Sequence, residues 1–530
     1  EEVLYHRDGK TATVSITKDL QNMSIKTNGK SDAGLQITGR GHSKDEETMV
    51  IAGAIGIIHR PEARTAAIIG WGSGLTTHTL LTVPNINSVD TIEIEPEMIK
   101  AARLFGPRVR LAYDDPRSHV RIEDAKSYFS FTNKQYDLII SEPSNPWVSG
   151  VASLFTKEFY SRVREYLTKD GLFVQWIHLY DIDMSLVASI MKALAPYFSD
   201  YIIYATNPYD MLIVACPVGD IQEPKISFLA IESLMHELNK VDVMGLPDIN
   251  VRVLGNKSTL SPLFESYGTA ANSDYEPIVD LYAVKSRFYD LTASPPFHSI
   301  EFGRLPIMHL LGKKHSDASI SPVAYSTFPK SIRIHFANMI FQYFMNDQME
   351  WSHPYAPLRD QSRQLVMNAK QVLTGKCSED SLRQEWWMAM LHVVADFVPC
   401  WSPEQLSQIL KSIETSSCSK DLSDSQRDFI ELIKAVGKKD AAGMAQYSKK
   451  LLEQMEKNAV DADLLEYTLS AGMLGDLAVG NIQEAGLLWG KYGPLLPVKN
   501  AQSITVQLLV TRLSRELAGH GTYFPRAEPH

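Results

Sequence analysis

The apolar run Asp137-Leu138-Ile139-Ile140-Ser141 empties directly into a polar, proline-stiffened segment, Glu142-Pro143-Ser144-Asn145-Pro146-Trp147. A loop at the end of a buried strand stands at the mouth of whatever pocket the sheet carries. There Glu142 can take a proton from an incoming amine, Asn145 can anchor the polar tail of that nucleophile, and Trp147 can wall the site against water. Glu142 and Asn145 are therefore the candidate catalytic residues, and Trp147 is a candidate substrate contact. The plainer alternatives are a carboxylate that binds loop N–H groups and an aromatic that belongs to the core.

A second junction of this kind is Ala67-Ile68-Ile69-Gly70-Trp71-Gly72-Ser73-Gly74-Leu75, a buried strand running through glycines into a helix that begins near Leu75. Glycine lets the backbone turn tightly against a ligand, and a helix N-terminus offers free N–H groups. A tight turn with no ligand would use the same residues, so context decides. Glu93, in Ile92-Glu93-Ile94-Glu95, follows Gly70 by 23 residues at the end of the next strand. A carboxylate there can accept both hydroxyls of an adenosine ribose. In Ile122-Glu123-Asp124-Ala125, at the end of a third strand, Asp124 can accept from an adenine amino group and the Ala125 N–H can donate to the ring. Gly70, Gly72, Ser73, Gly74, Glu93, Asp124 and Ala125 thus form a candidate nucleoside pocket, although each acid alone would more often be a helix cap or a solvated turn. A dinucleotide fingerprint places its third glycine three residues after the second and has no use for an acid at the third strand. The pattern here favours S-adenosylmethionine, or its decarboxylated form, as a donor substrate over a nicotinamide.

His178, Tyr180 and Asp181 follow a fifth strand in Gln175-Trp176-Ile177-His178-Leu179-Tyr180-Asp181, with Asp183 close behind. They are candidates for the acceptor side, against the plainer reading of a partly buried histidine beside solvated acids. Histidines from His298 to His392 show no metal-ligand spacing, and no metal is expected. Trp386-Trp387 and Trp401 read as a helical core, and Asn272-Ser273-Asp274-Tyr275-Glu276-Pro277 as a turn docking onto the catalytic domain.

The elements that must hold these residues are legible in the hydrophobic pattern. Residues 1–45 contain short alternating stretches around Asn28-Gly29 and Asp32-Ala33-Gly34, the signature of a small antiparallel β-hairpin domain read as an appendage. Between Thr65 and Cys216, buried runs alternate with amphipathic helices: Thr65 to Gly70, Val89 to Ile94, Val120 to Ile122, Asp137 to Ser141 and Leu172 to Ile177. This alternation predicts an α/β doubly wound, Rossmann-like sheet over residues 46–289. Tyr201 to Tyr204 and Met211 to Ala215, separated by Thr206-Asn207-Pro208-Tyr209, are expected to pair as a terminal hairpin. Strand signals then fade, and residues 290–520 read as an all-helical domain, with helices over Ser425 to Val436, Ala441 to Lys457 and Ala462 to Leu474. Their pairing hints at a helical-repeat array without a fixed period. Residues 521–530 read as a tail.

Composition narrows the function classes. The chain has 530 residues, 44% hydrophobic and 22% charged, so an ordinary globular fold of two or three domains is expected. With 52 Lys and Arg against 62 Asp and Glu, its charge of -10 is the wrong sign for coating phosphate backbones, and no nucleic-acid partner is expected. Cysteines at positions 216, 377, 400 and 418 are too few and scattered for a disulfide framework or a paired-cysteine zinc site, and they fit a reducing compartment. The longest apolar run, Met49 to Ile58, is about half of the roughly 20 residues needed to span a bilayer.

Five stretches in order carry a family resemblance: Gly70-Trp71-Gly72-Ser73-Gly74; Ile92-Glu93-Ile94-Glu95-Pro96; Asp124-Ala125; Ser141-Glu142-Pro143-Ser144-Asn145-Pro146-Trp147-Val148-Ser149-Gly150; and Leu154-Phe155-Thr156-Lys157-Glu158-Phe159-Tyr160. From Val3 to about Ala283 the chain resembles the spermidine synthase (polyamine aminopropyltransferase) family. More closely, it resembles the bacterial spermidine-synthase-like proteins whose catalytic domain follows a multispanning membrane segment. The resemblance implies an N-terminal β-domain, a Rossmann-like donor domain, Glu93 on the ribose, Asp124 and Ala125 on the adenine, and attack of an amine on the carbon next to a sulfonium sulfur. It also implies a homodimer and a cytoplasmic location, as the cytosolic portion of an inner-membrane protein if the native chain carries a membrane segment.

Two departures matter. The family's glycine loop resembles G-G-G-D-G-G, with an aspartate that grips the donor's amino group where this chain has Ser73. Its fourth-strand motif, D-S-x-D-P, is here Glu142-Pro143-Ser144-Asn145-Pro146. A serine beside a helix N-terminus tolerates the carboxylate of intact S-adenosylmethionine, whereas an aspartate repels it. Asn145 supplies no charge-assisted bond to a cationic polyamine. The leading expectation is an enzyme that moves an alkyl group, aminopropyl or related, from an S-adenosylmethionine-type donor to a small-molecule or protein amine. Methyl transfer is the rival reaction, since Ser144-Asn145-Pro146-Trp147 imperfectly resembles the Asn-Pro-Pro-Tyr loop of amine methyltransferases. A non-catalytic donor-binding sensor or scaffold, whose helical half contacts a protein partner, is the rival class.

Overall fold

The computed structural model describes residues 1–39, 41–148, 150–301, 303–312, 328–346, 367–373, 380–419, 422–455 and 461–519. Ser149, the end of the helix expected to reach Lys457, and the tail 521–530 lie outside the described residues. The chain divides into two compact units, one of residues 1–257 with 264–298 and one of 258–263 with 299 onward.

The first unit opens with an antiparallel meander, β1 (Glu2–Asp8), β2 (Thr13–Lys18), β3 (Asn22–Thr27) and β4 (Lys30–Gln36). Asn28 (φ 51°) and Gly29 (φ 82°) are both left-handed, as a two-residue hairpin turn matched to strand twist requires. Asp32-Ala33-Gly34, expected as a second turn, instead lies inside β4, where Ala33 pairs with Ile25 and Gly34 with Ser24. Nor is the sheet an appendage. Val14, Ile16, Met23, Ile25, Ala33 and Leu35 share one apolar core with the larger sheet, because every second residue of β2 and β3 turns to the same covered face.

Helix α1 (Lys44–His59) follows, started by a capping box in which Ser43 and Glu46 each accept the other's backbone N–H at 3.1 Å. Its apolar run Met49 to Ile58 is buried throughout because the helix packs against both β4 and the larger sheet. That sheet comprises β5 (Thr65–Ile69), β6 (Ser88–Glu93), β7 (Ser118–Ile122), β8 (Tyr136–Ser141), β9 (Leu167–His178), β10 (Asp200–Asn207), β11 (Asp210–Cys216) and β12 (Val253–Asn256). The order is β12-β10-β11-β9-β8-β5-β6-β7. Strands β5 to β9 are parallel, while β11, β10 and β12 are antiparallel, so the expected terminal hairpin is present. The short β12 gave no strand signal in the sequence. Because β5 lies between β6 and β8, the strand order reverses beside it, and the crevice at the carboxyl ends there is the place for a ligand.

A buried ion pair ties the far edge of this sheet to α1. Arg252, just before β12, places its Nη2 2.8 Å from Glu47 Oε1, with both side chains almost wholly enclosed. Burial alone would raise the Glu47 carboxyl, but Arg252, aided by His42 and Lys44, outweighs it and holds the group at about 2. Arg252→Met leaves Glu47 charged and buried, and is expected to destabilise the unit by about 3 kcal/mol in urea unfolding. Restoration of stability by the double change Arg252→Met with Glu47→Leu would identify the stranded charge as the cause.

Among its described residues the second unit is helical. Asp424–Lys438, Ala441–Met455, Ala462–Val479 and Ile482–Tyr492 pack in sequence order through short connections. Gly475 permits the closest of these approaches, since a Cβ there would lie 2.5 Å from the Ala441 carbonyl oxygen. Trp386, Trp387 and Trp401 are buried in this unit. Cys216 and Cys400 are free and buried, whereas Cys418 is disulfide-bonded, so the sparse cysteines still include one cross-link. No helix among the described residues is long and apolar enough to cross a membrane.

Candidate active site

Parallel pairing brings the candidate residues to one level. Ile69 pairs with Ile92 and with Ser141, and Glu93 pairs with Ile122, so the glycine loop, Glu93, Asp124 and Glu142 all leave the sheet at the same end. Gly70 (φ 96°), Gly72 (φ 53°) and Gly74 (φ 84°) are left-handed, and Gly74 caps helix α2 (Leu75–Leu81). Only Gly70 is required sterically by the neighbouring loop, since a Cβ there would fall 2.2 Å from the Glu142 carbonyl oxygen. These two loops at the carboxyl ends of the strands are therefore packed backbone to backbone.

Glu93 is buried and bridges the turn, accepting the Trp71 N–H at 2.9 Å on one oxygen and the Glu95 N–H at 2.8 Å on the other. Burial raises its carboxyl to about 7 against the pull of these N–H groups. The side chain is thus fixed with further acceptor capacity on each oxygen, which suits a ribose diol. Asp124 is a helix cap, accepting the Ser127 N–H at 2.9 Å at the start of helix Ala125–Phe131, and Ala125 is buried behind it. The capping role predicted as the plainer alternative is therefore present on one oxygen. Ser73 is placed differently from expectation. Its side chain is fully enclosed, its hydroxyl donating to the Met49 sulfur at 3.1 Å and accepting the Leu75 N–H at 3.3 Å, so it faces α1 and not a donor. The tight turn at Gly72 and Gly74 swings it inward.

Glu142 keeps some exposure, yet its carboxyl is raised to about 8, chiefly by desolvation and further by nearby Asp210, against the opposing pull of the Thr76 side chain of α2. A carboxyl in that state is poised to exchange a proton near neutral pH. Asn145 is buried, its Nδ2 donating to the Tyr180 hydroxyl at 3.4 Å. Trp147, His178 and Tyr180 form an aromatic group, with His178 4.8 Å from Trp147 and 4.9 Å from Tyr180 between ring centroids. Burial, with the charge of Lys30, pushes the His178 imidazole well below its ordinary range, so it is neutral. Asp181 (φ 53°) is half-buried beside the charges of Arg287 and Lys30. Asp183, by contrast, caps helix Met184–Leu194. The segment from Asn272 docks as expected, its Nδ2 donating to the Ala152 and Phe155 carbonyls at 3.3 and 3.0 Å.

Several site residues were not singled out from the sequence. Asp32, in β4, accepts from the Ser144 hydroxyl at 2.6 Å, and Lys30 donates to the Tyr180 hydroxyl at 3.4 Å. Asp45 at the start of α1 is raised to about 6, mainly by burial. Asp210 at the start of β11 is raised by burial and held by Asn207, Thr48 and Trp176. The available signal was Lys30-Ser31-Asp32 directly after an Asn-Gly turn, two opposite charges at the start of one strand. These acids surround the site instead of converging, and among the described residues no group of three or more His, Cys, Asp or Glu side chains is placed to hold a metal ion.

Residues 46–214 match the Spermine/spermidine synthase domain family. This segment is a spermidine-synthase-like domain. Curated relatives similar to it include the polyamine aminopropyltransferase of Moorella thermoacetica, 30% identical over 147 residues, which are 28% of this chain and 52% of that protein. The polyamine aminopropyltransferase of Methanocaldococcus jannaschii is 31% identical over 132 residues, 24% of this chain and 45% of that one. The chain thus spans about half the length of the curated relatives it matches. Among solved structures, a probable spermidine synthase from Corynebacterium glutamicum aligns over 52% of this chain and 97% of its own at 18% identity, with a TM-score of 0.37. Lys30 and Asp32 lie outside the matched segment, so part of the candidate site comes from the preceding sheet.

Proposed function

We propose that the spermidine-synthase-like domain transfers an alkyl group, aminopropyl or a close relative, from an S-adenosylmethionine-type donor to an amine. The observation that carries this reading is Glu142, whose carboxyl is raised to about 8 and whose loop joins the two halves of the site. On one side lies the anchored carboxylate of Glu93, on the other the group of Trp147, His178 and Tyr180. Glu93, Ala125 and the free oxygen of Asp124 are proposed to hold the donor's nucleoside. The donor supplies an electrophilic carbon bonded to a sulfonium sulfur.

In the proposed step the amine nitrogen forms a bond to that carbon, the carbon–sulfur bond breaks, and its electron pair neutralises the sulfonium as a thioether. The amine must first surrender a proton, and Glu142 in its ionised form takes it. Asn145 holds Tyr180, and Trp147 keeps water from competing. The similarity to polyamine aminopropyltransferases supports the decarboxylated form as the proposed donor. With Ser73 facing α1, its replacement of an aspartate is no argument for the intact one.

Calorimetric titration with each donor form, followed by mass spectrometry of products from a panel of amines, tests this. Tighter binding of the decarboxylated donor and an aminopropylated amine are the expected results. Methylated product from intact S-adenosylmethionine would replace the reading by methyl transfer, and binding with no product from any amine would leave a sensor or scaffold.

A further inference from the structure

The Trp147 ring is already flanked by positive charge. Lys30, the first residue of β4, holds its Nζ 5.0 Å from the Trp147 ring centroid and 5.4 Å from that of Tyr180, while donating to the Tyr180 hydroxyl. The Arg287 guanidinium lies 5.3 Å from the same Trp147 ring. A cation against aromatic faces is how proteins commonly recognise ammonium ligands. Here the protein supplies the ammonium itself.

The hairpin makes this placement rigid. The Asn28-Gly29 turn starts β4 at Lys30, and Asp32, two residues on at an irregularity in the β3–β4 pairing, accepts from the Ser144 hydroxyl. Asp32, Asp181 and Asp45, the acids that could hold the remote ammonium of a diamine, already lie within electrostatic reach of Lys30, and Asp181 within that of Arg287 as well. Burial opposes the charge on Lys30 and these acids sustain it.

We infer that Lys30 is a specificity-determining residue of the acceptor side, occupying the Trp147–Tyr180 group in place of a polyamine's remote ammonium, so that the acceptor is an amine without a second positive charge. The identity of the ligand as an amine rests on the alkyl-transfer reading. A second ammonium brought near Lys30 and Arg287 in a partly dry site is repelled enough to weaken its binding about tenfold or more.

The test is calorimetric titration of the full chain with butylamine and with 1,4-diaminobutane, repeated on Lys30→Gln and, as an independent variant, Arg287→Gln, each checked for native unfolding temperature. Wild type is expected to bind butylamine about tenfold or more tightly than the diamine. Lys30→Gln should remove or reverse that preference, and Arg287→Gln should shift it in the same direction. A wild-type preference for the diamine, an unchanged ratio in both variants, or binding of neither amine to any of the chains would overturn the inference. Product analysis separates this from the functional proposal. Selective amine binding without alkylated product sinks alkyl transfer and leaves the role of Lys30 standing, whereas equal alkylation of monoamines and diamines does the reverse.

Discussion

Glu142→Gln is expected to lower turnover by about 10²- to 10⁴-fold while leaving donor affinity within about threefold of wild type, because it removes a proton acceptor and keeps the loop's shape and its contact with Gly70. The wild-type pH profile should rise through about 8, where the carboxyl ionises, and the variant should lose that ascending limb. Stability should move the other way. The folded state holds the Glu142 proton up to about 8, against an ordinary value of 4.5, so it binds more protons than the unfolded chain between these limits. That contribution is fully present below 4.5 and is lost as pH rises through about 8. Glutamine has no charge to desolvate, so the variant should match wild type near pH 5 and exceed it at high pH by on the order of 2 kcal/mol. Thermal unfolding at both pH values, beside the rate profile, checks the pair of effects. Unchanged turnover would remove Glu142 from the mechanism.

Glu93→Ala is expected to reduce donor affinity about 10³-fold, the combined loss of two charge-assisted hydrogen bonds to a ribose. It also leaves the Trp71 and Glu95 N–H groups without an acceptor in an enclosed turn, so the glycine loop itself should loosen. Glu93→Gln separates these causes. The amide oxygen can still accept from one N–H group, so it should recover most of the lost stability but little of the donor binding. Calorimetric donor titration together with hydrogen exchange at Trp71 and Glu95 reads both. Equal donor affinity in wild type and Glu93→Ala would move the ribose elsewhere in the site.

The half of the candidate site proposed to hold the donor was legible because each of its residues is tied to the end of a local strand. An apolar run followed by glycines, or by an acid at a helix start, is written contiguously, and parallel pairing then sets Gly70, Glu93, Asp124 and Glu142 level. Chain order also predicted the terminal hairpin from the turn residues around Pro208. Ser73 was misplaced, since the left-handed glycines on either side decide which way it points, and periodicity carries no record of that. The four-residue β12 is too short for a pattern and forms only where β10 offers it an edge.

What the sequence determined by itself is the alternation of strands and helices between Thr65 and Cys216, the glycine turns and the acids at strand ends, all of which are encoded within about ten residues by side-chain periodicity and backbone preference. What only the tertiary structure decided is the company those residues keep. Lys30 and Asp32 reach the site from a sheet read as an appendage, Asp210 from the far hairpin and Arg287 from a later helix. Their meeting is fixed by burial of shared apolar faces, a force without direction or sequence address. The proton affinity of Glu142 follows from that burial, and so the chemistry proposed for the loop exists only once the chain has closed around it.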